Sequence, residues 1–336
     1  MKFNKLKFNR KFFAFLGKSE AWMLVVEPDV NTGLLHGFQI RESLQHTQIL
    51  KDWSLSYDQL SSGHFESHLN ELWLDDIQIY EEKISPSIFQ SGEGKADSLC
   101  LGVFSNLSDP ALWMGQALQG AEIISLCQGG EIMMRTPQQS SFVSLSLPMS
   151  LLEELGDIPQ GASMLTHQPL AQEIYSKLTA LLNNLSKHPC GVNLASMQQA
   201  KSEILDLGFR YVQALQQQKN EIRLSARKAK IVVQRALDAM QSYQDNPLTM
   251  DELCQLTNTS RRTLQNCFEL ITGQSPAQFL KHLRLNGVRR SFIQNATSAL
   301  VSEVASEWGF WHLSQFATDY KKLFGETPSQ TLAQCK

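Results

Sequence analysis

The 336-residue sequence has no run of about 18 or more apolar residues, so we expect no membrane-spanning helix and no membrane partner. Its six cysteines are scattered singly, without a Cys-x-x-Cys pair or a histidine at zinc-ligand spacing. We therefore interpret them as reduced thiols of a cytoplasmic protein. The basic start is followed by only a short apolar stretch and no Ala-x-Ala-like site, so we expect no export signal.

Proline and glycine are also sparse, with 11 and 19 residues, while hydrophobic residues make up 42%. This composition excludes a collagen-like or disordered chain, and the length indicates two domains. The net charge of -3 hides an asymmetry. Residues 227–336 carry 13 Lys and Arg against 9 Asp and Glu, whereas residues 1–226 carry 17 against 24. The basic C-terminal third is therefore the candidate for binding a polyanion.

Short apolar runs between turn signals fill residues 55–148, a pattern typical of strands. We predict an α+β protein, with a mainly β sensor domain at 1–160, a helical pair at 161–222 and an all-α domain at 223–336. The second helix of the pair carries an apolar stripe that indicates either a dimer seam or an intramolecular core face. The stripe comprises Met197, Ala200, Ile204, Leu207, Tyr211 and Leu215.

One pattern occurs twice in the C-terminal third. LTMDELCQLTNTSRRTLQNCFELITGQSP begins at Leu248, and LVSEVASEWGFWHLSQFATDYKKLFGETP begins 52 residues later at Leu300. Each copy predicts a short helix, a turn at Asn258 or Gly309, and a second amphipathic helix closed by a glycine. This is the arrangement of a helix-turn-helix. One such match is common among amphipathic helices, but two in register indicate tandem DNA-binding units.

Between the copies, SPAQFLKHLRLNGVRRSFIQ predicts one linker helix. Ser275 suits the N-cap and Pro276 the first helical position, and Gly287 is the one weak point. If there is room for a methyl group, alanine at Gly287 should stabilise the helix; if another helix lies close, alanine should destabilise it. About 20 helical residues span about 30 Å, close to the roughly 34 Å of one DNA turn. The linker can thus place both units in successive major-groove segments.

Residues 227–334 resemble the DNA-binding domain of the AraC/XylS family of transcriptional activators, above all through GF...SQF...YKKLFGETP in the second copy. The resemblance implies a regulator, an activator, that binds a promoter operator in double-stranded DNA, contacts RNA polymerase and needs no catalytic cofactor. Upstream stretches such as YDQLSSGHFESHLNELWLDDIQIYEE resemble regulators of ethanolamine utilisation within that family. The implied effector is ethanolamine with a cobalamin; another small metabolite or a fatty acid is the alternative.

The second helix of each unit is expected to contact DNA. The expected contacts are Arg261, Arg262, Gln265 and Asn266 in the first unit and Ser314, Gln315, Thr318 and Lys321 in the second. Arginine can pair with guanine, and Gln or Asn with adenine. In the first unit, Arg262, Gln265 and Asn266 also match the positions at which the family contacts bases, as the resemblance implies. Arg261 suits a phosphate or merely solvates the surface. The family often has arginine at Thr318, so we expect a weaker, less specific second contact.

Other functions fit parts of the sequence. GHFESH places His64, Glu66 and His68 at even spacing, which on one strand could hold the metal of a cupin-like enzyme. The cysteines invite comparison with DNA-repair methyl acceptors fused to a similar DNA-binding domain, but they form no cluster. The N-terminal domain could also serve only to form a homodimer. Trp73 and Trp113 would line an effector pocket or pack in a core.

Overall fold

The computed structural model describes residues 34–50, 52–105, 107–187, 194–218, 224–243 and 248–336. The predicted absence of an export signal falls on the first residues of the chain and lies outside the described ones. The cysteines in the described part are free thiols, Cys100, Cys127, Cys254, Cys267 and Cys335. Within these ranges no helix combines the length and apolar character that a bilayer crossing requires.

The N-terminal region is built from antiparallel strands, as predicted. The strands are β1 (Leu34–Ile40), β2 (Ser54–Gln59), β3 (Ser67–Leu74), β4 (Ile77–Ile84), β5 (Ile88–Glu93), β6 (Ser98–Phe104), β7 (Ala111–Trp113), β8 (Gln116–Leu118), β9 (Glu122–Cys127), β10 (Glu131–Arg135), β11 (Ser140–Pro148) and β12 (Gly161–Thr166). A seven-stranded sheet has the order β1-β3-β4-β11-β6-β9-β12, and a five-stranded sheet has the order β2-β5-β10-β7-β8. A short helix, α1 (Ser43–Ile49), connects β1 to β2.

The two sheets share one apolar core. Phe89 and Trp113 of the smaller sheet belong to the same buried cluster as Leu69 and Phe104 of the larger one. Trp113 is buried and its indole N–H donates to the Ser163 carbonyl at 3.1 Å. Of the two interpretations of Trp113, core packing is therefore confirmed.

The other face of the seven-stranded sheet is covered by α2 (Gln168–Lys187) and α3 (Leu194–Gln217). Alternate residues of a strand point to opposite faces, which gives this sheet a second apolar surface. Ile204, Leu207, Tyr211 and Leu215 of α3 are buried against it. The stripe predicted as a dimer seam or a core face is therefore a core face within the chain.

The C-terminal third is helical, as predicted. Its helices are α4 (Leu224–Ser242), α5 (Met250–Leu256), α6 (Arg261–Thr272), α7 (Pro276–Gln294), α8 (Val301–Glu307), α9 (Leu313–Phe324) and α10 (Pro328–Cys335). Asn258 and Gly309 have φ of 53° and 77° in the turns, and α6 and α9 both end at a left-handed glycine, Gly273 and Gly325. Ser275 caps α7 and Pro276 opens it. The structure confirms both copies of the repeat and the linker helix between them.

The middle of α7 packs closely against an aromatic ring. A methyl group on Gly287 would lie 2.3 Å from the ring of Trp308, whose indole N–H donates to the Ser291 hydroxyl at 3.1 Å. Glycine is required here because the tryptophan that follows α8 approaches the helix backbone.

We expect Gly287→Ala to lower the free energy of unfolding by about 1–3 kcal/mol, because overpacking outweighs the roughly 1 kcal/mol that alanine contributes in a helix. Urea unfolding of the variant and the wild type measures the difference. Gln278→Ala, at an exposed position of the same helix, is the matched control and should be near neutral. A Gly287→Ala protein that is more stable than the wild type would contradict the close approach of Trp308 to α7.

The predicted metal-binding strand is wrong in its geometry. β3 begins at Ser67, so of the three residues only His68 lies in a strand. His64 instead lies against Gly325 at the end of α9. In the described part of the chain no group of three or more His, Cys, Asp or Glu side chains is arranged to hold a metal ion.

Candidate nucleic-acid interface

Helix α6 presents a polar face to solvent. Leu264 and Phe268 are fully buried, which turns the opposite side of the helix outward. The outward side chains are Arg261, Arg262, Gln265 and Asn266, and each is exposed. Arg261 lies 3.1 Å from the carboxylate of Asp251, and the Gln265 amide donates to Glu269 at 2.9 Å. The predicted contacts of the first unit thus lie together on one accessible surface.

Helix α9 has the same orientation in the second unit. Phe316 and Tyr320 are buried, while the predicted contacts, Ser314, Gln315, Thr318 and Lys321, are exposed. The Thr318 hydroxyl donates to the Ser314 carbonyl at 2.9 Å, so its one proton is used inside the helix. The start of α9 also exposes Trp311 and Leu313, which the search for polar side chains missed.

The surface between the two units carries lysine charge. Lys281 of α7 lies 3.2 Å from Asp319 of α9, and Lys322 lines the same open cleft of about 760 Å³. Burial, together with the positive charge of Lys281, lowers the pKa of His282 to about 4. The imidazole is therefore neutral near pH 7, and the cationic groups in this cleft are lysines.

The N-terminal sheets hold the first unit through a shared apolar core. Val233, Phe268 and Phe279 belong to the same buried cluster as the interior of the two sheets. The ring of Phe279 lies edge-on to Phe89 of β5, with centroids 5.0 Å apart, and 5.6 Å from Phe268. The second unit has a separate core of its own. The first unit is consequently fixed to the sheets by burial of apolar area.

A polar face of α7 makes a second set of contacts with the N-terminal part of the chain. Asn286, Arg289 and Arg290 are spaced by three and one residues, which places them on one side of the helix. Asn286 exchanges two hydrogen bonds with the Gln59 backbone, at 2.9 and 3.0 Å. Arg290 lies 2.6 Å from the buried carboxylate of Asp58. The second half of the linker helix is thus bound by the end of β2.

Arg289 makes the most buried of these ion pairs. Its guanidinium meets the Glu42 carboxylate through two hydrogen bonds, at 2.5 and 2.9 Å, and lies 2.8 Å from Glu326. Burial disfavours the charge, but the hydrogen bonds to Glu42 and the nearby carboxylates outweigh it and raise the pKa of Arg289. The guanidinium therefore stays charged between an N-terminal and a C-terminal carboxylate.

The C-terminal ends of α6 and α9, the second helices of the two units and here called the recognition helices, are also covered. The Leu323 carbonyl, at the end of α9, accepts from the Gly63 N–H at 3.0 Å and from the Gln59 amide at 2.9 Å. At the end of α6, the Arg135 guanidinium lies against Gly273. The sheets thus hold the C-terminal ends of both helices and leave their outward faces exposed.

Comparison with known proteins gives a consistent assignment for the C-terminal part. Residues 253–334 match a family described as a helix-turn-helix domain. The XylDLEGF operon transcriptional activator of Pseudomonas putida is 36% identical over 90 residues, which cover 26% of this chain and 28% of that protein. The HTH-type transcriptional regulator ArgR of Pseudomonas aeruginosa is 33% identical over 91 residues, 27% of each chain.

Among solved structures, ToxT of Vibrio cholerae is 11% identical with a TM-score of 0.30, covering 85% of this chain and 99% of that one. The XylDLEGF activator and ArgR are matched over less than a third of their own length. The matched residues contain α6, α7 and α9 with their exposed polar faces. Residues 253–334 are therefore a helix-turn-helix domain.

Proposed function

We propose that this chain is a cytoplasmic transcriptional regulator of the AraC/XylS family, an activator that binds a promoter operator and contacts RNA polymerase. The observation that carries the proposal is the pair of helix-turn-helix units, each with an exposed polar face on its second helix. Arg262, Gln265 and Asn266 of α6 would read base edges, and Gln315 of α9 would add a second reading position. Arg261 and Lys321 would contact phosphates.

The N-terminal region, whose last strand is followed by the helical pair, would be the sensor. A ligand shifts activity only if it binds one arrangement better than the other, so its site must differ between them. A cleft of about 650 Å³ lies between the sheets and α4 and α7, so that a movement between these parts would change its shape, and it has the size of a small-molecule site. The charged residues that line this cleft are Asp58, Glu93, Glu131, Asp238, Arg284 and Arg290.

Asp58 is paired with Arg290 and Glu131 with Lys230, which leaves Glu93 and Asp238 against Arg284. This remaining charge favours a cationic ligand over a fatty-acid carboxylate. Ethanolamine, by the resemblance to regulators of ethanolamine utilisation, is the first effector to test, with a cobalamin as its partner. Titrating operator binding and reporter transcription with ethanolamine, a cobalamin and a long-chain fatty acid separates the three. If none changes either readout, the N-terminal region serves instead to form a homodimer or to bind a partner.

The base-reading role of α6 has a direct test. We expect Arg262→Ala and Gln265→Ala each to weaken binding to a selected duplex by about 1–3 kcal/mol and to weaken binding to random DNA much less. Loss of a bidentate base contact removes discrimination, whereas the phosphate contacts remain. Equilibrium binding to both duplexes at one salt concentration gives the comparison.

Glu303→Ala, at an exposed position on α8 and outside the recognition helices, is the matched control for these variants. Equal losses on selected and random DNA would show that Arg262 and Gln265 touch only the backbone of the duplex. Unchanged binding to both duplexes would remove α6 from the interface.

A further inference from the structure

The start of α9 exposes two large apolar side chains. Trp311 is 71% exposed and Leu313 is 45% exposed. The core of the second unit is complete without them, since Phe316, Tyr320 and Leu323 fill it. Their apolar area therefore remains in water unless something binds over the tip of this helix.

The repeat shows what stands at the same place in the first unit. With the offset of 52 residues, Trp311 corresponds to Thr259 and Leu313 to Arg261. In the first unit the Ser260 side chain caps the helix, whereas His312 makes no side-chain cap in the second. One recognition helix thus begins with a capped, cationic tip and the other with an uncapped, apolar tip at the equivalent position of the fold.

Beside Gln315, the first half of the outward face of α9 offers a base only the short hydroxyl side chains of Ser314 and Thr318. Thr318 donates its only hydroxyl proton to the Ser314 carbonyl. Its γ-methyl group and the acceptor lone pairs of its oxygen are left to face a ligand. Lys321 and Lys322 in the last turn supply charge that is complementary to phosphate. The occupant that fits an apolar tip on a basic helix is duplex DNA, whose major groove displays the thymine C5-methyl group.

We propose that Leu313 and Trp311 read thymine methyl groups, so that the second unit recognises its half of the site by apolar contact in addition to the hydrogen bonds that Gln315 offers. This inference rests on the proposed function of the chain as a sequence-specific DNA-binding protein. It assigns the second unit a preference for thymine that the polar first unit does not share. The contact of the second unit with DNA is then specific in spite of the short side chains at Ser314 and Thr318.

The test uses duplexes that the intact chain selects from a random library. Replacing single thymines by deoxyuridine removes only the C5-methyl group. In the half of the site next to the second unit, we expect one or two such replacements to weaken binding by the wild type about fourfold each. Leu313→Ala should bind about tenfold more weakly and lose most of the preference for the thymine over the uracil duplex. Trp311→Ala should lose part of the same preference.

Leu256→Ala is the matched control, because Leu256 is also 45% exposed but lies on α5, away from the second unit. It should keep the full preference for thymine, as should Arg262→Ala on the first unit. A wild type indifferent to every replacement, or a Leu313→Ala protein with an unchanged preference, overturns the inference while selective binding stands. If the intact chain selects no sequence at all, the proposed function fails together with it.

Discussion

Phe279→Ala is expected to lower the free energy of unfolding of the intact chain by about 3–5 kcal/mol, the range for a fully buried phenylalanine. Phe279 has no exposed area and lies between Phe89 of the sheets and Phe268 of the first unit. Its removal leaves a cavity bordered by two aromatic rings that belong to different parts of the chain. The denaturant midpoint, with the slope of the transition unchanged, measures the loss.

Two further variants locate that effect. Tyr243→Ala, at an aromatic side chain that is 46% exposed, should change stability by less than about 0.5 kcal/mol. Phe89→Ala removes the ring on the other side of the contact and should destabilise by a similar amount to Phe279→Ala. If Phe279→Ala costs less than about 1 kcal/mol, close to the level of a surface change, the first unit is not bound to the sheets through this core.

Arg289→Met is the second large effect, with an expected loss of about 3–5 kcal/mol, because it leaves one buried and one half-buried carboxylate without their partner. Glu42 and Glu326 both lie against the guanidinium, and Glu326 is itself buried. Methionine keeps most of the side-chain length, so that the loss reports the charge. Thermal and urea unfolding of the variant give the magnitude.

An exposed ion pair provides the comparison. Lys201→Met removes the partner of Asp75 on the surface and should cost no more than about 1 kcal/mol. Glu42→Gln, which removes only the N-terminal carboxylate, should destabilise less than Arg289→Met. If Arg289→Met and Lys201→Met lower the free energy of unfolding equally, the Arg289 ion pairs stabilise the position of α7 no more than a surface ion pair does.

The C-terminal helices could be predicted from the sequence because their signals are local. Ser275 and Pro276 start α7, and Gly273 and Gly325 end the recognition helices, each through backbone preferences that a few neighbouring residues decide. The repeat added a second, independent occurrence of the same pattern. Exposure of the polar faces followed from the 3.6-residue period of the apolar residues.

The contacts between the two parts of the chain could not be predicted in this way. Glu42 and Arg289 are separated by 247 residues, and Gln59 and Asn286 by 227. No local period or motif pairs positions so far apart. The close approach of Trp308 to the backbone of α7 was equally hidden, since a glycine in a helix can mark either open space or a close neighbour.

The apolar tip of α9 was missed for a different reason. Hydrogen-bonding capacity is the sequence signal for a side chain that reads a base edge, and Leu313 has none. The register of the repeat, which places Leu313 opposite Arg261, was a signal already present in the sequence. Comparing equivalent positions of the two copies would have shown it.

The central claim is that one chain places both helix-turn-helix units on the same face of a duplex. Hydroxyl-radical footprinting of the intact chain on a selected site tests it most directly. We expect two protected segments centred about 10 base pairs apart, the spacing of successive major-groove segments on one face. A single protected segment, or two segments on opposite faces of the duplex, would contradict the account.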